Sequence, residues 1–371
     1  MKIGTDQYNT FDTMTMDCWN DRVYYEGKEF PAGHFAAEIL NFAGVIHDPL
    51  LERITVLTAL VDDLSTAEKS KRHDIAAQLK PLLHDTVSWL YTCPPFCYCE
   101  SQGAYEDLEH ALSEERLDRD YEEEEAHLPY LALSFCEPIL RILVAIYNFC
   151  LLIRAFEMKY LRRSKQRNAD AFAKAAHECF DEDDSFLILL EQMPFGGVEE
   201  FFSYPRVITG FNYFQDENDE EKWKTAQRVI CKRAIDFYVF DLMNGLHHGH
   251  APSQCQGCGR YFLTTNGHTP KYCDGVAPQD NRYTCRQYGA MMHQKEQNKQ
   301  HPVYRLFATR TDTIRKHHQR GKISDDLRRE ALYLAGSYRD KALMDNDYAA
   351  DGYARDMELE HIYAEAEKRL K

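Results

Sequence analysis

At 371 residues the chain can bury a sizeable core, and a composition of 44% apolar or aromatic and 28% charged residues, with only 13 Pro and 18 Gly, excludes wholesale disorder. A formal net charge of −16 argues against a protein that coats nucleic acid over its whole surface. With 12 Cys and no basic, apolar leader in MKIGTDQYNTFDTMTMD, the sequence predicts a cytoplasmic chain with reduced thiols rather than a disulfide framework.

Residues 1–34 alternate polar and apolar side chains in FDTMTMD and RVYYEGKEF, with Gly27 at a turn, which predicts a small β element. From Phe35 to about Gly249 the pattern is helical. Leu50, Ile54, Leu57, Val61 and Leu64 recur at three-to-four-residue spacing, and Pro49 stands where it can open that helix. The acidic stretch Glu106 to His127 predicts one exposed helix with a thin apolar stripe of Leu108, Leu112 and Leu117. Its charge reads as solvation, or alternatively as a repellent for nucleic acid or a dock for a basic partner.

The longest apolar run, ILVAIYNFCLLI from Ile142 to Ile153, lies between Arg141 and Arg154 and is well short of the roughly 20 residues of a membrane span. It predicts a buried helix and no membrane association. A helix around Ala169 to Cys179 follows, then one that starts in DEDD and stops at Pro194 to Gly197. FFSYPRVITGFNYFQ, Phe201 to Gln215, predicts a strand or loop packed on helices. Lys222 to Leu246, with Val229, Ile230, Ile235, Phe237, Phe240 and Leu242, predicts a strong helix ending in the linker-like turn HHGHAPSQC.

In CQGCGRYFLTTNGHTPKYC, Cys255 and Cys258 form a C-x-x-C knuckle, with Cys273 and Cys285 further on. Zinc takes four tetrahedral ligands, and two cysteines at this spacing can share one ion while backbone amides point at their sulfurs. Gly259 suits the turn. Arg260 to Leu263 reads as the first strand of a hairpin turning at Asn266-Gly267 and returning through Lys271-Tyr272. Cys285 precedes RQYGAMMHQKEQNKQ, so it stands near a helix N-terminus, where the macrodipole favours a thiolate. These features predict Zn2+ bound by Cys255, Cys258, Cys273 and Cys285 in a compact treble-clef-like finger, with His268 or His293 as possible replacement ligands. A redox pair is the competing reading, but it wants a βαβ context that the sequence does not offer.

The knuckle C-x-x-C-G-R-Y-F, the K-Y-C and the T-C-R-x-x-G together resemble the finger of an uncharacterised bacterial domain-of-unknown-function family. A looser similarity continues through ISDDLRREALYLAGSYRDKA. The segment is more distantly similar to the CGNR zinc fingers of bacterial transcription regulators, from which it departs at the defining tetrad, here Cys285-Arg286-Gln287-Tyr288. The CGNR likeness implies a regulatory, nucleic-acid-binding role.

Charge is unevenly placed. From Cys255 to Arg329 there are 14 Lys and Arg against 6 Asp and Glu, a local +8, so the remainder carries −24. Arg260, Lys271, Arg282 and Arg286 can compensate a Zn(Cys)4 centre. The charge continues beyond the finger through Arg305, Arg310, Arg315 and Lys316, on a helix over about Val303 to Gln319 where Arg310 and Lys316 point away from the others, and through Arg320 and Lys322 after it. This predicts a diffuse basic surface rather than one sharp stripe, and these six are the candidate contacts to DNA or RNA backbone. Tyr261, Phe262, Tyr272, Tyr283 and Tyr288 are aromatics either for stacking or for the finger's own core. Ser324 caps a further helix, and a last one covers about Tyr353 to Leu370.

Cys93, Cys97 and Cys99 read as packing near the Pro94-Pro95 stop or as half of a second metal site, and His247, His248 and His250 as a solvated turn or a ligand group. The expected architecture is mainly α: a β element over 1–34, a helical domain over 35–250, a finger over 251–300 and a helical segment over 301–371. The functional readings are nucleic-acid binding, a protein-interaction module with a purely structural zinc, or an enzyme whose site in the helical domain has no sequence signature.

Overall fold

The computed structural model describes residues 13–43, 49–118, 130–164, 166–191, 206–216, 219–265, 267 and 270–370. They form two compact units, Met1–Cys273 and Asp274–Lys371.

The first unit begins with a meander: β1 (Met14–Trp19), β2 (Arg22–Tyr25) and β3 (Lys28–Pro31). Met14, Met16, Val23 and Tyr25 turn inward, as the alternation predicts. The helices α1 (His34–Glu38), α2 (Pro49–Thr66), α3 (Lys69–Leu90), α4 (Gln102–Ala111), α5 (Glu114–Leu117) and α6 (Tyr130–Phe156) follow. Leu50, Ile54, Leu57, Val61 and Leu64 are the buried stripe of α2. The acidic stretch is two short helices rather than one exposed helix, and Leu108, Leu112 and Leu117 are buried; residues 119–129 lie outside the described segments.

The apolar run expected at Ile142 to Ile153 is the middle of a much longer element. Ala132–Leu161 is long and apolar enough to cross a membrane, yet most of it is buried, with Cys136, Leu143, Ile146, Phe149 and Leu152 in the core. It packs against α2, α4 and α9 (Ala234–His247). Between them lie α7 (Ala169–Phe180), whose N-terminus is capped by Asn168, and α8 (Asp184–Glu191). The predicted stop at Pro194 to Gly197 is outside the described residues.

The fold is a mixture of α and β, not mainly α with a small β element. Two long strands, β4 (Val207–Asp216) and β5 (Asp219–Cys231), join the meander in one five-stranded antiparallel sheet of order β3-β2-β1-β5-β4. The helix expected from Lys222 is therefore β5 up to Cys231 and helix only from Ala234. Val229, Ile230 and Phe237 have helix-like spacing, but β-branched residues favour a pleated surface, and β1 offers β5 a partner some 200 positions away. Register is pinned at Asp17, which faces Arg228 across the strands, takes two hydrogen bonds of 2.8 Å from its guanidinium and a third of 2.7 Å from Asn212.

The second unit starts with a short hairpin, β8 (Val276–Ala277) and β9 (Asp280–Thr284), followed by α10 (Cys285–Gln300), α11 (Pro302–Gln319), α12 (Asp325–Met344), α13 (Tyr353–Asp356) and α14 (Leu359–Leu370). It has its own core of Val303, Ile314, Leu334, Met357 and Ile362. Ser324 caps α12 by accepting the Leu327 N–H at 3.2 Å. The single last helix expected from Tyr353 is broken between α13 and α14, where Met357 drops into the core.

Candidate metal centre and basic helix face

The segment read as a linker, Ala251–Gln254, is a strand (β6), and it pairs antiparallel with β7 (Tyr261–Thr264). Tyr261 to Leu263 therefore lies in the second strand of a hairpin, not the first, and the knuckle is the turn that joins the two. The expected turn residue Asn266 and the alternative ligand His268 lie outside the described residues.

Cys255 follows β6 directly. Its N–H donates to Arg260 O at 2.8 Å and its carbonyl accepts from Gly259 N at 2.9 Å, closing a loop in which Gly259 has φ 75°, a left-handed geometry that glycine adopts without strain. The N–H groups of Gly257 and Cys273 point at Cys255 Sγ from 3.4 and 3.3 Å. Burial alone would raise this thiol's pKa, but those donors and that of Cys258 outweigh it and lower the value to about 7. Gln256 N donates to Lys271 O at 2.8 Å, which draws the returning chain alongside, and Cys258 Sγ lies 3.6 Å from Cys273 Sγ.

Cys285 is the first residue of α10, immediately after Thr284. The Thr284 hydroxyl accepts from Gln287 N at 3.2 Å and Gln287 Oε1 accepts from Thr284 N at 3.0 Å, a complete capping box that fixes where the helix starts. Cys285 N donates to Gly275 O at 2.7 Å. The sulfurs of Cys255, Cys258, Cys273 and Cys285 all lie within 4.8 Å of one another. Thiolates held about 2.3 Å from a common tetrahedral ion sit roughly 3.8 Å apart, so the cluster can hold one metal ion.

No other group of three or more metal-binding side chains occurs among the described residues. Cys93 is buried and donates to Trp89 O at 3.4 Å, and Cys99 sits 3.2 Å from the Tyr25 hydroxyl; burial raises both thiols' pKa. His250 is buried with Nδ1 2.9 Å from Ala32 O, and His293 is exposed on α10. Of the basic residues close to the cysteines, Arg282 pairs with Asp280 at 2.7 Å and Arg286 with Asp274 at 3.0 Å.

The six basic candidates fall on α11 and just beyond it. Arg305, Arg315, Lys316, Arg320 and Lys322 are exposed; Arg310 is half-buried, with Nε enclosed and lacking an acceptor. At 100° per residue Arg305 and Lys316 point within about 20° of each other, with Arg315 and Arg320 about 80° to one side and 60° to the other. One carboxylate interrupts this face, Asp312, which pairs with Arg315 at 3.5 Å. Farther along, Arg328 and Arg329 are held by Asp325 and Asp326, so the open positive face is that of α11.

Sequence reasoning missed the tie between the knuckle and the helical core. Asn41 is hydrogen-bonded to the backbone of Tyr261, and Arg162 bridges the buried carboxylate of Glu157 to Gln254 at the end of β6. Nothing in the local pattern marks these partners. No curated protein and no solved structure matches the chain. A family described as a family of unknown function (DUF6076) matches residues 203–369, from β4 to the end of α14.

Proposed function

We propose that the protein binds nucleic acid through the exposed face of α11, in a regulatory role, with Zn2+ held by the four cysteines as a structural ion. The observation that carries this reading is the grouping of Arg305, Arg315, Lys316 and Arg320 on one solvent-facing side with a single opposing carboxylate. Guanidinium and ammonium groups so placed neutralise phosphates without reading bases, which is the chemistry of backbone binding. The charge of the rest of the chain, strongly negative, restricts such contact to this part of the surface.

Fluorescence anisotropy with labelled duplex DNA, single-stranded DNA and RNA across a range of salt tests it. Four phosphate contacts imply roughly a hundredfold loss of affinity for a fourfold rise in salt. The double variant Arg305→Glu, Lys316→Glu should abolish binding while circular dichroism stays unchanged. Affinity that is absent, or flat with salt and untouched by charge reversal, refutes the proposal.

One feature favours a protein-interaction module instead. Strand β4, which has no second strand partner among the described residues, and its neighbour β5 expose Phe211 (73%), Tyr213 (66%) and Trp223 (66%), and exposed aromatics at such an edge suit strand addition by a partner. Copurification of one stoichiometric protein, lost on Phe211→Asp and accompanied by no nucleic-acid retention, would favour that reading.

A further inference from the structure

A cleft of about 890 Å³ opens within the first unit between the C-terminal half of α6 and the cysteine knuckle, a size typical of small-molecule sites. Its floor is apolar: Leu40, Phe42, Leu151, Ala155 and Met158, the last 58% exposed. Three guanidiniums border it, those of Arg154, Arg162 and Arg260, and no carboxylate lines it.

These arginines are not equivalent. Arg162 is occupied by the buried carboxylate of Glu157, at 3.2 and 2.9 Å, and by Gln254. Arg154 and Arg260 take part in no ion pair among the described residues. Arg154 lies over the Tyr261 ring, 5.7 Å from its centroid, and donates to Leu40 O, while its Nε is enclosed without an acceptor. Arg260 is exposed on the knuckle; its charge reaches the half-buried Glu38, which lies outside the cleft lining. Cations beside apolar surface are costly without a counter-charge, and guanidinium is the side chain best matched to phosphate and carboxylate.

We propose that this cleft binds a small amphipathic anion, a phosphate or carboxylate joined to an apolar group, with the anionic end between Arg154 and Arg260 and the apolar part on the Met158 side. Cys258 and Gly259 form part of the wall, so an occupant touches the knuckle itself. The site is distinct from the basic face of α11 and does not depend on nucleic-acid binding.

The probe is anilinonaphthalene sulfonate, a planar apolar body with one fixed negative charge, followed by its fluorescence on the reduced, full-length protein. Saturable binding at one site per chain is expected, weakened at least tenfold in Arg260→Glu and in Met158→Glu, both at exposed positions, and also in Arg154→Met. Melting temperature and far-UV circular dichroism serve as the check that the two surface variants remain folded. Displacement by adenosine monophosphate assigns the anion to the phosphate class, and displacement by decanoate to the carboxylate class. Non-saturating fluorescence, or equal affinity in wild type and all three variants, overturns the proposal.

Discussion

Asn41 and Tyr261 exchange two hydrogen bonds: Asn41 Nδ2 donates to Tyr261 O at 3.1 Å and Asn41 Oδ1 accepts from Tyr261 N at 2.7 Å. The side-chain amide thus does for β7 what a neighbouring strand would do, and it joins the strand that leaves the knuckle to the turn that follows α1. Asn41→Ala removes both partners from a half-buried peptide group and should destabilise the protein by about 1–3 kcal/mol. Asn41→Asp keeps the acceptor, loses the donor and should fall between. Urea unfolding measures both, and an Ala variant as stable as wild type would show that water replaces the amide.

Gly245 in α9 meets Gly33 at the start of α1. A Cβ added at Gly245 would lie 2.8 Å from Gly33 Cα and 3.1 Å from Ala32 O, both backbone atoms that cannot swing aside. Alanine normally stabilises a helix interior by about 1 kcal/mol relative to glycine, but here the clash should dominate and Gly245→Ala should cost about 1–3 kcal/mol. Gly210→Ala, where nothing lies within 4 Å, is the control and should show no steric loss in thermal unfolding.

Asp241 is fully buried and accepts from Gly33 N at 3.0 Å and Ala36 N at 2.9 Å, capping α1 from another helix. Burial raises its pKa to about 7, against the opposing pull of those N–H groups. A folded-state value above the unfolded value of about 4 means the native state holds the proton more tightly. This carboxyl's contribution is therefore complete below about pH 4, declines as pH rises and levels off above about 7. Denaturant titrations should show the wild type losing stability relative to Asp241→Asn as pH rises from about 4 to about 7, with little further change above that. A difference that is constant, or that grows with pH, contradicts this assignment.

The cysteine cluster predicts one equivalent of Zn2+ per reduced chain. Cys258→Ser and Cys285→Ser should each lower that content sharply and reduce melting temperature, because metal binding and local folding are linked. Cobalt substitution should give the visible absorption of a tetrahedral tetrathiolate. Metal-free protein by elemental analysis, with unchanged stability, would remove the case for the centre.

Legibility in the sequence followed the range of the interaction. The C-x-x-C knuckle, the helix opening at Cys285, the Ser324 cap and the buried stripe of α2 all depend on residues within a turn or two of one another, and the pattern shows them. The segment from Asp219 to Cys231 is different. Its apolar residues fit a helix as well as a strand, and only pairing with β1, through Met16 opposite Val229 and Asp17 opposite Arg228, selects the strand. The mainly helical reading failed at that point.

The same division applies to the candidate sites. By itself the sequence determined which cysteines have metal-ligand spacing and that positive charge gathers after Cys255, because residue type and spacing are local properties. Only the tertiary structure decided that Arg154, from the core helix, borders the same cleft as Arg260, and that Asn41 holds the backbone of Tyr261. Those relationships come from chain segments packed together by burial of their apolar faces, and no spacing along the chain encodes them.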